Sequence, residues 1–114
     1  MTVQEIVKTL SLEVLVGAQR LGRAVTNGYA CDMLSLVMAG AQSGSIWVTM
    51  QGHPNVVAVA SLLGLSAVVV SEGSQVEPAT LQRAEENEIV LLRTPHDTFT
   101  TVAQLAALGI QGTR

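Results

Sequence analysis

The run Ile46-Trp47-Val48-Thr49-Met50-Gln51-Gly52-His53-Pro54-Asn55, continued by Val56-Val57-Ala58-Val59-Ala60-Ser61-Leu62-Leu63, sets the architecture of this chain. Its first residues are apolar, β-prone and bounded by Gly44-Ser45 and Gln51-Gly52, which predicts a short buried strand. Pro54 suits the first turn of a helix, where a missing N–H costs nothing. From Val56 onward the helix has only Ser61 as a polar residue, and it stops at Gly64. A strand and helix this apolar belong at the middle of a layered α/β domain, with a parallel sheet covered on both faces.

On the carboxyl side, Ala67 to Val70 is a continuous apolar strand that ends at Ser71-Glu72-Gly73-Ser74. Pro78 opens a more polar helix, with Leu81 and Ala84 inward and Arg83, Glu85 and Glu86 outward. Ile89 to Leu92 is the last strand. In Thr94-Pro95-His96-Asp97 the threonine is expected to cap a helix, with Asp97 reaching back. Phe99, Val102, Ala103 and Ala106 line that final helix, which closes at Gly109, and Gln111 to Arg114 reads as a frayed tail.

On the amino side, Thr2-Val3-Gln4-Glu5 has capping-box spacing, and Val3, Ile6, Val7 and Leu10 follow as a helical stripe. Leu12 to Val16 is a first strand of unassigned direction, ended by Gly17. Ala24-Val25-Thr26 reads as a second strand running into a sharp turn at Asn27-Gly28. Asp32 is a suitable N-cap for a helix whose buried face is Leu34, Val37, Met38 and Ala41 and which ends at Gly44. From the second strand onward the order is strand-helix four times over. Right-handed crossovers then give a three-layer α/β/α domain with a mostly parallel central sheet of four to five strands, one domain over residues 1–114.

Composition narrows the function classes. The net charge is −3, and the six basic residues are scattered. A nucleic-acid groove or an anionic membrane patch needs clustered Lys and Arg, so neither partner is expected. Cys31 is alone, which excludes an intramolecular disulfide and fits a reducing cytoplasm. Met1-Thr2-Val3-Gln4-Glu5 lacks the basic and apolar regions of a signal peptide, and no apolar run is long enough to span a bilayer.

In such a sheet, ligands gather beyond the carboxyl ends of the strands. The loops expected there are 26–32, 51–55, 71–74 and 94–97, and each leads into a helix N-terminus that favours anions. The candidate ligand-binding residues are therefore Thr26, Asn27, Gly28, Asp32, Gln51, Gly52, His53, Asn55 and Thr94. The plainer alternative is that Asp32 and Thr94 cap helices while the glycines turn the chain. Cys31, Asp32, His53 and His96 fall on the same expected edge, and as a group could serve a small metal protein or enzyme. No HxxxH or CxxC spacing supports that set, and a Cys31–His53 nucleophilic pair has no local signature. There is no GxxxxGK[ST] loop, no GxGxxG after a strand, and the only lysine is Lys8, so neither an ATP-using enzyme nor a cofactor is expected.

Three segments resemble a known family. They are Gly22-Arg23-Ala24-Val25-Thr26-Asn27-Gly28-Tyr29-Ala30-Cys31-Asp32-Met33-Leu34-Ser35, then Trp47 to Ala60, then Ile89-Val90-Leu91-Leu92-Arg93-Thr94-Pro95. Together they resemble the DRTGG domain family from about Leu12 to Leu108. Gly22 stands where the family has Asp, and Asn27 replaces the first of the two final glycines, while Arg23, Thr26 and Gly28 match. A ligand contact by the missing Asp does not carry over. DRTGG domains are similar to the amino-terminal domain of HPr kinase/phosphorylase, and they occur beside CBS domains in regulated pyrophosphatases and before phosphotransacetylase domains. The resemblance implies a regulatory or dimerising module without chemistry of its own, alongside a partner enzyme and responsive to a small anionic ligand such as a nucleotide. The kinase's P-loop is absent, so kinase activity is not expected. A homodimer is expected on a second ground. Val56, Val59 and Leu63 share one helical face, so burying them on the sheet leaves Val57 and Ala60 in need of cover.

Overall fold

A computed structural model describes all residues from Met1 to Arg114. Helix α1 (Val3–Leu10) begins at Thr2, whose side chain accepts from the Glu5 N–H while the Glu5 carboxylate reaches back to the Thr2 N–H, the reciprocal box its spacing predicts. The chain continues through β1 (Glu13–Val16), β2 (Asn27–Ala30), α2 (Leu34–Gly40), β3 (Ser45–Thr49), α3 (Pro54–Leu63), β4 (Ala67–Val70), α4 (Pro78–Glu86), β5 (Leu91–Arg93) and α5 (Thr98–Ala107). The five strands lie in the order β1-β5-β4-β3-β2. β2 to β5 are mutually parallel, and β1 joins the edge antiparallel to β5. This is a three-layer α/β/α fold.

The side-chain alternation of the central strands divides the core in two. Trp47, Val68, Val70 and Leu91 point to one face; Ile46, Val48, Val69 and Leu92 point to the other. Strands β2 to β5 advance across the sheet in one direction, so right-handed crossovers place all three connecting helices on one face. Val37 of α2, Val57 and Ala60 of α3, and Ala84 of α4 share that core. The opposite face is covered by α1, through Val3, Ile6 and Leu10, and by α5, through Leu105. The cover that Val57 and Ala60 need is therefore supplied within the chain by α2 and α4, and α3 gives no evidence for a dimer.

The second strand is Asn27–Ala30, not Ala24–Thr26, and Asn27-Gly28 lie inside it rather than in a turn. Neither has a positive φ. The sheet supplies what a turn would: the Asn27 Oδ1 accepts from the Ser45 hydroxyl, its register partner on β3. Helix α2 stops at Gly40, four residues before Gly44, and Met38 is exposed rather than buried. Gly40 lies directly under the Tyr29 ring, where a Cβ would overlap the phenol.

Helix α5 turns a different face inward from the one expected. Thr101 and Leu105 are buried, whereas Phe99 is 85% exposed and Val102 38%. The Thr101 hydroxyl donates to the Asp97 carbonyl at 2.8 Å, so a polar residue is buried with its bond made. The residues after α5 are not frayed. The Gly28 N–H donates to the Gln111 carbonyl at 2.8 Å, and Gly28 bridges Gly112 in parallel, so the tail covers the otherwise open edge of β2.

Candidate functional site

The carboxyl ends of β2 to β5 meet at one edge, but not all candidates reach it. Asn27 opens β2, opposite Ser45 at the start of β3, so Thr26 and Asn27 lie at the amino end of the sheet. Gly28 sits beside the docked tail. Asp32, Gln51, Gly52, His53, Asn55 and Thr94 remain on the carboxyl edge, and the nine do not form one site.

Most of these six side chains serve the loops that carry them. Asp32 does not cap α2, whose N-cap is Met33 without a side-chain bond. Its carboxylate accepts from the Thr49 hydroxyl at 2.7 Å and the Met50 N–H at 2.8 Å, while the Gln51 amide donates to the Asp32 carbonyl at 2.7 Å. The loops after β2 and β3 are thus stapled together. The Gly52 carbonyl accepts from the Glu77 N–H at 3.1 Å and the Thr80 hydroxyl at 2.6 Å, and a Cβ there would overlap the Gln75 carbonyl. His53 caps α3: its Nδ1 accepts from the Asn55 N–H at 3.1 Å. Thr94 is buried and accepts from the His96 N–H at 3.3 Å; the cap of α5 is Asp97 instead, accepting from the Thr100 N–H at 2.6 Å. The hydrogen bonds from Thr100, backbone first, hold the Asp97 carboxyl below its ordinary value, with nearby His96 adding to the effect against weak desolvation. His53 keeps its outer nitrogen, Asn55 its whole amide, and Asp32 and Gln51 one oxygen each without a protein partner.

The electrostatics of this edge are acidic. Asp32, Glu72, Glu77 and Asp97 stand on three of its four loops. Arg93, at the end of β5, lies 3.5 Å from Glu13 of β1. The positive end of α5 already holds carboxylates, since Glu72 accepts from the Thr98 N–H at 2.6 Å beside the Asp97 cap. The metal alternative is corrected: no three His, Cys, Asp or Glu side chains come together to hold an ion, so Cys31, Asp32, His53 and His96 are not a ligand set.

The loops after β2, β3 and β4 lead to helices on one face, and only the loop after β5 leads to the other. Where that divergence falls, between β4 and β5, the two loops are tied together: the Glu72 N–H donates to the His96 carbonyl and the Gly73 N–H to the Thr94 carbonyl. The most apolar hollow lies elsewhere, between β2, α5 and the tail, with a volume of about 360 Å³. Tyr29, Val48, Val102, Leu105, Ala106 and Ile110 form its walls, and Arg114 stands among its polar lining. Gly28 is the one candidate that borders it. Reading the sequence as a frayed tail hid this hollow, because its far wall is the docked tail.

No helix is long and apolar enough to cross a membrane. The model of the DRTGG domain family matches residues 5–108. No curated protein matches the chain. Among solved structures the fold is similar to the CBS and DRTGG domains of the regulatory region of Clostridium perfringens pyrophosphatase, complexed with its activator diadenosine tetraphosphate. The TM-score is 0.69 and the identity 22%, over 91% of this chain and 45% of that one. At that identity the likeness shows a shared fold, and this chain spans less than half of the other's length.

Proposed function

Since this chain belongs to the DRTGG domain family, we propose that it is a non-catalytic regulatory module, one domain over residues 1–114, which self-associates as a homodimer and governs a partner enzyme in response to a small anionic ligand of the nucleotide class. The observation that supports this reading best is the likeness of fold to a regulatory region whose structure holds a dinucleotide activator. Within the chain, His53 and Asn55 are the exposed candidates whose side chains keep a hydrogen-bond donor for an anion, whereas Asp32 and Gln51 have only an acceptor oxygen left and, with Gly52 and Thr94, shape the loops beneath them. The carboxylates on this edge set a condition. A phosphate ligand approaches Asp32, Glu72 and Glu77 favourably only when a divalent cation accompanies it.

The test is a thermal-unfolding titration with adenine nucleotides, dinucleoside polyphosphates and inorganic phosphate, each with and without magnesium. A ligand present at a hundredfold over its dissociation constant stabilises by about 2.7 kcal/mol. His53→Ala and Asn55→Ala should shrink that gain. A panel in which nothing raises the melting temperature removes the ligand-sensing half of the proposal.

A further inference from the structure

Phe99 is the only phenylalanine of the chain, and it projects from the first turn of α5 with 85% of its surface in water. On the same helical stripe, three and seven residues on, lie Val102 and Ala106, which also border the 360 Å³ apolar hollow. A knob therefore sits on the first turn of α5 and a hole runs along the helix from Val102 to Ala106, its far end about 10 Å from the knob along the axis. From Thr98 to Thr113 the sequence carries no charge, so this face meets a copy of itself without repulsion.

We propose that α5 is the surface on which two copies of this chain join, antiparallel about a two-fold axis, each inserting Phe99 into the other's hollow beside Ala106. This deepens, and rests on, the self-association part of the proposed function. The pairing is isologous: a crossing between Val102 and Ala103 brings 99 opposite 106 and 102 opposite 103, so every contact is made twice. The small side chains at 103, 106 and 107 let the helices approach closely. The charges beyond the two ends also match. Arg114 lines the hollow, and Asp97 with Glu72 holds the opposite end of the helix, so the antiparallel arrangement sets opposite signs together at both rims. A buried phenylalanine contributes roughly 150–250 Å². Two of them bury roughly 300–500 Å², and the walls that receive them and the paired helix surfaces add to this toward the roughly 1,000 Å² that a specific interface needs.

The experiment is the mass in solution by light scattering across a concentration series, with unfolding monitored alongside. The wild type should reach twice the single-chain 11.9 kDa. Phe99→Glu, and separately Ala106→Phe, which fills the hollow, should weaken association about a hundredfold or more while melting like the wild-type monomer. Leu62→Glu, at another strongly exposed apolar site, on α3, should leave the dimer intact. A wild type of 11.9 kDa at every concentration overturns self-association itself and this surface with it. A dimer that survives Phe99→Glu and Ala106→Phe, or one that Leu62→Glu breaks, leaves self-association standing and overturns this surface alone.

Discussion

Helices α3 and α5 are each ten residues long and rich in apolar side chains, yet the fold treats them oppositely. α3 is the middle of three helices on its face, and Val57, which points away from the sheet core face, is only 1% exposed because α2 and α4 flank it. α5 shares its face with α1 alone and leaves Phe99 in water. Hydrophobicity along a helix thus says how much cover the helix needs, and the strand order decides who supplies it. Crossovers running one way from β2 to β5 crowd one face and leave the other thin.

The largest effect should come from placing a charge on each helix in turn. Val57→Glu places a carboxylate at a position only 1% exposed, in the core that holds Val37 and Ala84, with Arg83 across the adjoining surface hollow as its one cationic neighbour, at a cost of about 3 kcal/mol or more. Urea unfolding should find its midpoint far below that of the wild type. Phe99→Glu on α5 should shift the monomer's stability by less than about 0.5 kcal/mol, as exposed substitutions do. Equal losses in the two variants would show that α5, like α3, is covered within the monomer.

A second effect separates packing from polarity at the loop edge. Gly52→Ala drives a methyl into the Gln75 carbonyl, and the strand-to-helix loop has to move, at a cost of about 1–3 kcal/mol. Asp32→Ala removes two bonds to a carboxylate and leaves Thr49, which is buried, short of one partner. Because Asp32 itself is exposed, the expected loss is about 1 kcal/mol. Denaturant midpoints at constant slope would order the two. A larger loss for Asp32→Ala would mean that the staple between the loops outweighs the close packing under α4.

Much of this was legible in the sequence, for reasons that differ from element to element. Ala67–Val70 was readable because a strand buried on both faces is apolar throughout. The Thr2 capping box and the Pro54-to-Gly64 limits of α3 were readable because caps are local. Asn27-Gly28 misled because a side chain that satisfies a turn is equally satisfied by a register neighbour, here Ser45. The inner face of α5 misled because Thr101 buries its hydroxyl by bonding Asp97 within the same helix, which no count of apolar residues anticipates. The candidate site scattered because β2 lies later in the chain than its apolar pattern suggests, which leaves Thr26 and Asn27 at the amino end of the sheet.

The smallest expected effect concerns how the two helices begin. α3 starts on an imidazole nitrogen and a proline, α5 on the Asp97 carboxylate. That carboxyl is held below its ordinary value of 3.8 by the Thr100 hydrogen bonds, so the folded protein binds its proton less readily than the unfolded chain does. The sign follows. The cap's contribution is fully present above the ordinary carboxylate range and is lost as pH falls through the lowered folded value. Asp97→Asn keeps an acceptor suited to the N-cap but removes the titration. The wild type should therefore melt above this variant from pH 7 down to about pH 5, and the gap should narrow as pH falls below the ordinary carboxylate range. Melting curves of both proteins across that range decide it. A gap that stays constant to pH 2 would mean that the Asp97 charge contributes nothing to the start of α5 and that the oxygen's geometry alone caps the helix.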